Sequence, residues 1–177
     1  MKLSGLRAAT GLAAGGVIFA SIVLGMADAM AQEAKTDGLV PWVFACGANG
    51  TDTPLQCRMT QELFSTENRQ RVLAITVAAA QNNAADFEMT LALPHGALLP
   101  PGLSLKIDEQ EAVVVPIESS NAAGVYARVP LEGDLGNAVR RGIKMVIGVT
   151  NRAGNQVQIP VSLTGFSAAL KRLAVIK

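Results

Sequence analysis

A chain of 177 residues that is 50% hydrophobic and 16% charged is too apolar for a disordered tail and too short for most two-domain proteins. A net charge of +1 lacks the basic excess expected of a nucleic-acid partner. One His and two Cys are too few for a zinc cluster, and a mean hydropathy of +0.33 directs attention to a membrane or targeting segment.

The N-terminus holds such a segment. Lys2 and Arg7 precede an uncharged run from Ala8 to Ala27, and Ala29-Met30-Ala31 is a small-x-small step. This is the three-part pattern of a secretory signal over residues 1–31, with cleavage expected after Ala31. Cleavage removes Lys2, Arg7 and Asp28 and takes the net charge from +1 to zero. The competing reading is an uncleaved inner-membrane anchor, because the run approaches the roughly 20 residues that span a bilayer. Gly11, Gly15, Gly16 and Gly25 weaken it as a helix. No other run has the length and apolarity to span, so no stable membrane span is expected after cleavage. A periplasmic or secreted location follows. In an oxidising compartment Cys46 and Cys57, the only pair, are expected to form a structural disulfide. Their spacing is wider than the Cys-x-x-Cys of redox catalysts.

Residues 32–40 read as a flexible leader and 41–177 as a single domain. Trp42 to Cys46 is a compact apolar run, followed by a Gly/Asn/Asp/Thr/Pro loop to Pro54. Leu55, Cys57, Met59 and Gln61 alternate with Gln56, Arg58 and Thr60, which predicts a strand whose cysteine faces that of the first run. Val72–Ala80 reads as a buried strand and Gln81-Asn82-Asn83 as a polar break. Phe87, Met89, Leu91 and Leu93 give the clearest period of two. Pro94 ends that strand. The loop to Gly102 is unusually apolar, and Leu98 or Leu99 is expected to reach the core. Leu103–Ile107 and Ala112–Ile117 follow as strands around the polar turn Asp108-Glu109-Gln110. Ser119–Ala123 reads as a loop and Val125–Leu131 as a strand. Leu135, Ala138 and Val139 predict a short helix within Glu132–Arg141. Ile143–Val149 and Val157–Leu163 form the best hairpin, across Asn151–Asn155. Phe166, Ala169, Leu170 and Leu173 mark a closing amphipathic helix. Eight or nine strands without intervening long helices predict an all-β fold. It is expected to be an antiparallel β-sandwich or barrel-like domain with one or two short helices.

The residues that carry chemistry are sparse. His95 is the only histidine, and no Gly-x-Ser-x-Gly elbow supplies a nucleophile for it. Asp108, Glu109 and Glu111 come closest to a carboxylate cluster but lack the oxygen count of a calcium loop. No phosphate-binding Gly-rich loop occurs. Arg140-Arg141 and Lys171-Arg172 sit where cations suit helix C-termini. Tyr126 is the only tyrosine, so rings for stacking sugars or bases are scarce. No catalytic, cofactor or metal residues are assigned.

The motifs have an order. Trp42-x-x-x-Cys46, Cys57-x-x-x-Gln61 and Arg71 at the head of a hydrophobic strand come first. Leu93-Pro94-x-Gly96, Pro101-Gly102-Leu103-x-Leu105-x-Ile107-Asp108 and Val161-Ser162-Leu163-x-Gly165-Phe166-x-Ala168-Ala169 follow. This series resembles the invasion-associated locus B family of exported alphaproteobacterial proteins over nearly the whole mature chain. The resemblance implies an envelope protein, linked in a few pathogens to host-cell invasion and so virulence-associated. Family members commonly carry a second cysteine pair. Here Gly124-Val125 stands at the later step and Ser119 or Ser120 near the earlier one.

Two functions are in contention. One is a non-enzymatic envelope domain that binds a protein or envelope component. The other is an enzyme or enzyme-modulating periplasmic factor with a dispersed site, which requires His95, Asp108 and Arg128 to converge in a pocket. A chaperone for exported strands would instead need an exposed hydrophobic sheet edge.

Overall fold

The computed structural model describes residues 32–33, 40–48, 55–80 and 86–175. The expected signal at 1–31, most of the leader (34–39) and most of the first loop (49–54) lie outside them. So do residues 81–85, which contain the polar break, and residues 176–177.

Eleven strands and two helices occupy the described residues. One sheet is built from β2 (Val43–Gly47), β3 (Gln56–Phe64), β4 (Arg71–Ala79), β5 (Phe87–Leu93), β9 (Gly124–Pro130) and β8 (Ser119–Asn121), in that spatial order. Every pairing within it is antiparallel. The second sheet runs β1 (Gln32–Glu33), β11 (Gln156–Ser162), β10 (Lys144–Thr150), β6 (Leu103–Ile107) and β7 (Val113–Val115). Only β1 pairs in parallel, matching Gln32 to Val157. Neither sheet closes on itself, so the architecture is a sandwich and not a barrel.

Period-two patterning explains the core. Phe87, Met89, Leu91 and Leu93 are buried, while Glu88, Thr90 and Ala92 point to the half-exposed outer face. From β4, Leu73, Ile75 and Val77 enter the same core. Leu103, Leu105 and Ile107 of β6, Met145, Ile147 and Val149 of β10 and Ile159 and Val161 of β11 meet them from the opposite sheet. Helix α1 (Gly133–Arg141) buries Ala138 and Val139, and α2 (Phe166–Val175) buries Phe166, Leu170 and Leu173.

Three local expectations change. Ser119–Ala123 is not simply a loop, because Ser119–Asn121 forms an edge strand on β9. The Asn121 side chain accepts the Ala123 N–H at 2.8 Å and the Tyr126 hydroxyl at 3.0 Å, which holds the tight turn. Gly124 closes that turn at φ +148°, where a Cβ would collide with the Leu93 carbonyl. The strand expected over Ala112–Ile117 is confined to Val113–Val115. Leu98 and Leu99 do not reach the core, being 36% and 48% exposed. Backbone bonds from Leu98 N to Thr150 O and from Gly102 N to Leu99 O fix the loop with both side chains outward. Ala97 takes the inward position.

Candidate functional site

The residues proposed for a dispersed active site do not meet. His95 lies just after β5, where Arg152 N bonds to Gly96 O and Leu98 N bonds to Thr150 O, beside the C-terminal end of β10. Asp108 lies at the other end, its backbone N–H donating to Lys144 O at 2.9 Å. Six residue steps of about 3.3 Å along β10 separate the two places by roughly 20 Å. Arg128 sits on β9 in the other sheet, opposite Thr90.

Two of the three have structural partners. Asp108 adopts φ +47°, and its carboxylate accepts the backbone N–H groups of Ile143 (3.1 Å) and Lys144 (2.9 Å). It thereby satisfies donors where the α1–β10 connection enters the sheet. Arg128 donates to Glu118 at 2.7 Å. That hydrogen bond, with the charges of Glu118 and Glu88, holds the guanidinium above its ordinary pKa. One arginine of each basic pair is also engaged. Arg140 donates to Leu131 O at 2.6 Å, and Arg172 stacks 5.2 Å from the Phe44 ring centroid. Among the described residues no three His, Cys, Asp or Glu side chains are grouped to hold a metal ion.

The motif residues do assemble, and what they build is a clamp. Trp42 meets Phe166 edge-on, with centroids 5.1 Å apart at 77°. Gln61, 2% exposed, donates from Nε2 to Val40 O at 2.5 Å and to Ser162 O at 3.3 Å. The first, second and last motif pieces are thus joined, fastening the chain before β2 to β3, β11 and α2. Gly102 of the Pro-Gly piece has φ +69°, and a Cβ there would lie 2.6 Å from Val115 O. Its lack of a side chain lets β7 approach. Cys46 and Cys57 are direct cross-strand partners and are joined by a disulfide.

The Leu93-Pro94-x-Gly96 piece has a different setting. It lines a cavity of about 450 Å³ at the end of the sandwich where β5 and β10 finish. Leu93, Val149 and Ile159 form its buried floor, Val72, Ala97 and Val157 its half-buried walls, and His95 and Arg152 its exposed rim. This cavity is the candidate site. Sequence reading found His95 but not Arg152, because the cavity joins two loops more than fifty positions apart.

A family model described as invasion associated locus B (IalB) protein matches residues 42–174. The chain belongs to the IalB family. The crystal structure of invasion associated protein b from Bartonella henselae superposes with a TM-score of 0.65 and 22% identity. The match covers 79% of this chain and 95% of that one, and at this identity it shows a shared fold. No curated sequence is significantly similar. Of the two serines singled out in the sequence, Ser120 is the one that faces Val125 across the β8–β9 pair, while Ser119 faces Tyr126.

Proposed function

We propose that this IalB-family protein is an exported, non-enzymatic envelope domain, periplasmic or secreted after cleavage at Ala31, that acts by binding a protein or an envelope component. The observation that carries the reading is the dispersal of its reactive groups: His95 and Asp108 lie at opposite ends of β10, and Asp108 and Arg128 are engaged in holding the fold. Catalysis needs such groups within hydrogen-bond reach of one substrate.

The Cys46–Cys57 disulfide supports export, since such bonds persist in oxidising compartments. No helix among the described residues is long and apolar enough to cross a membrane. The sheet edges give strand-capture chaperoning little support. Three of them, β1, β7 and β8, are two or three residues long, and only β2 offers five. The name of the Bartonella relative extends the reading to the host-cell surface as one place where binding would act.

The test is in-cell crosslinking followed by affinity purification of the tagged protein from envelope and culture-fluid fractions. One recurrent envelope or host-surface partner is expected. Recovery only from the cytoplasm, or no recurrent partner across repeated captures, would count against the proposal.

A further inference from the structure

We infer that the cavity beside His95 and Arg152 binds a single long-chain fatty acid, its carboxylate at the rim and its hydrocarbon chain between the sheets. The inference rests on the reading of this protein as a binding domain and supplies a ligand class for its site. Three features select the ligand.

The first is size. About 450 Å³ falls within the usual range for small-molecule sites. The second is the lining. Leu93, Val149, Val157 and Ile159 are aliphatic, and no Phe, Tyr or Trp side chain lines the cavity to stack on a planar ligand. A flexible methylene chain matches such walls and gains free energy with each group buried. The third is charge. The lining contains Arg152 and His95 but no Asp or Glu. Arg152 has no carboxylate partner among the described residues. A guanidinium at the mouth of an apolar slot is complementary to a carboxylate, which it can engage with two parallel N–H donors. Asn151 at the same rim is neutral, its Oδ1 accepting Ala153 N and Asn155 N at 3.0 Å each, and Arg152 is the one permanently charged residue of the lining. The anionic head is therefore assigned to Arg152.

The test is calorimetric titration of the full chain, as processed by the producing cell, with hexadecanoate below its micellar concentration. Hexadecan-1-ol and a sixteen-carbon lysophosphatidylcholine serve as comparison ligands. Saturable 1:1 binding of the acid is expected, with the alcohol weaker by about tenfold, the worth of one charge-assisted contact. Arg152→Gln, in an exposed turn, is expected to bring the acid down to the alcohol's affinity. No saturable binding of hexadecanoate, equal affinity for acid and alcohol, or preference for the lysophospholipid would overturn the inference. An intact chain that captures an envelope partner yet takes up no hexadecanoate would refute this ligand and leave the binding-domain reading in place.

Discussion

Removing the disulfide by the double change Cys46→Ser, Cys57→Ser should destabilise the domain by a calculable amount. The bond joins residues 11 apart in sequence. In the chain-entropy relation a loop of that length removes roughly 9 cal/mol/K from the unfolded state, or about 2.8 kcal/mol at 25 °C. The bond also holds β2, an edge strand whose exposed Val43 and Cys46 add little burial of their own. Trp42 against Phe166 and Phe44 beneath Arg172 remain to retain β2 after the bond is lost. The fold should therefore survive with reduced stability. Equilibrium urea unfolding, followed through Trp42, the only tryptophan, reads this directly. With a slope of about 2 kcal/mol/M the midpoint should fall by about 1.4 M. A shift below about 0.3 M would refute the reasoning, because it would mean that β2 has already detached when the rest of the domain unfolds.

Phe166→Ala should cost about 3–5 kcal/mol, since its ring is 1% exposed, and a double-mutant cycle with Trp42→Ala, in urea unfolding followed by far-UV circular dichroism because the tryptophan is removed, should show coupling of roughly 1 kcal/mol. Asp108→Ala should lower stability by about 1–2 kcal/mol through loss of the acceptor for Ile143 N and Lys144 N. Asp108→Asn, which keeps an acceptor and tolerates positive φ, should cost much less in a thermal melt. Gly102→Ala should destabilise by at least about 1 kcal/mol, because its Cβ would press on Val115 O at an unfavourable φ. Ser120→Cys combined with Val125→Cys should form a second disulfide, seen by non-reducing mass analysis as the loss of two further protons. Ser119→Cys with the same partner, one register step away on the opposite face, should leave free thiols.

How much was legible depended on the range of the interaction that fixes each element. β5 declared itself because every second residue is large and apolar, and the final hairpin because polar turn residues separate two such runs. β8 escaped because Ser119-Ser120-Asn121 is an exposed edge with no apolar face to pattern. Its signals were local, an Asn able to accept from the turn and a Gly three positions later. Leu98 and Leu99 misled because apolarity was taken as burial, whereas the backbone bonds to Thr150 and within the loop set their direction. The ordered motifs were readable, but their purpose was not. Trp42 and Phe166 meet across most of the chain, and Gln61 reaches Ser162 only after two sheets have formed. The cavity was invisible for the same reason: its rim pairs His95 with Arg152, and nothing local to either marks the other.

The central claim, that this is a binding domain of the cell envelope, is tested most directly by crosslinking capture from the intact producing cell, with the recovered protein's N-terminus and disulfide read by mass spectrometry. The expected result is a chain beginning at Gln32, oxidised at Cys46 and Cys57, and crosslinked repeatedly to the same envelope or host-surface component. A reduced chain still beginning at Met1, recovered from the cytoplasm with no recurrent partner, would contradict it.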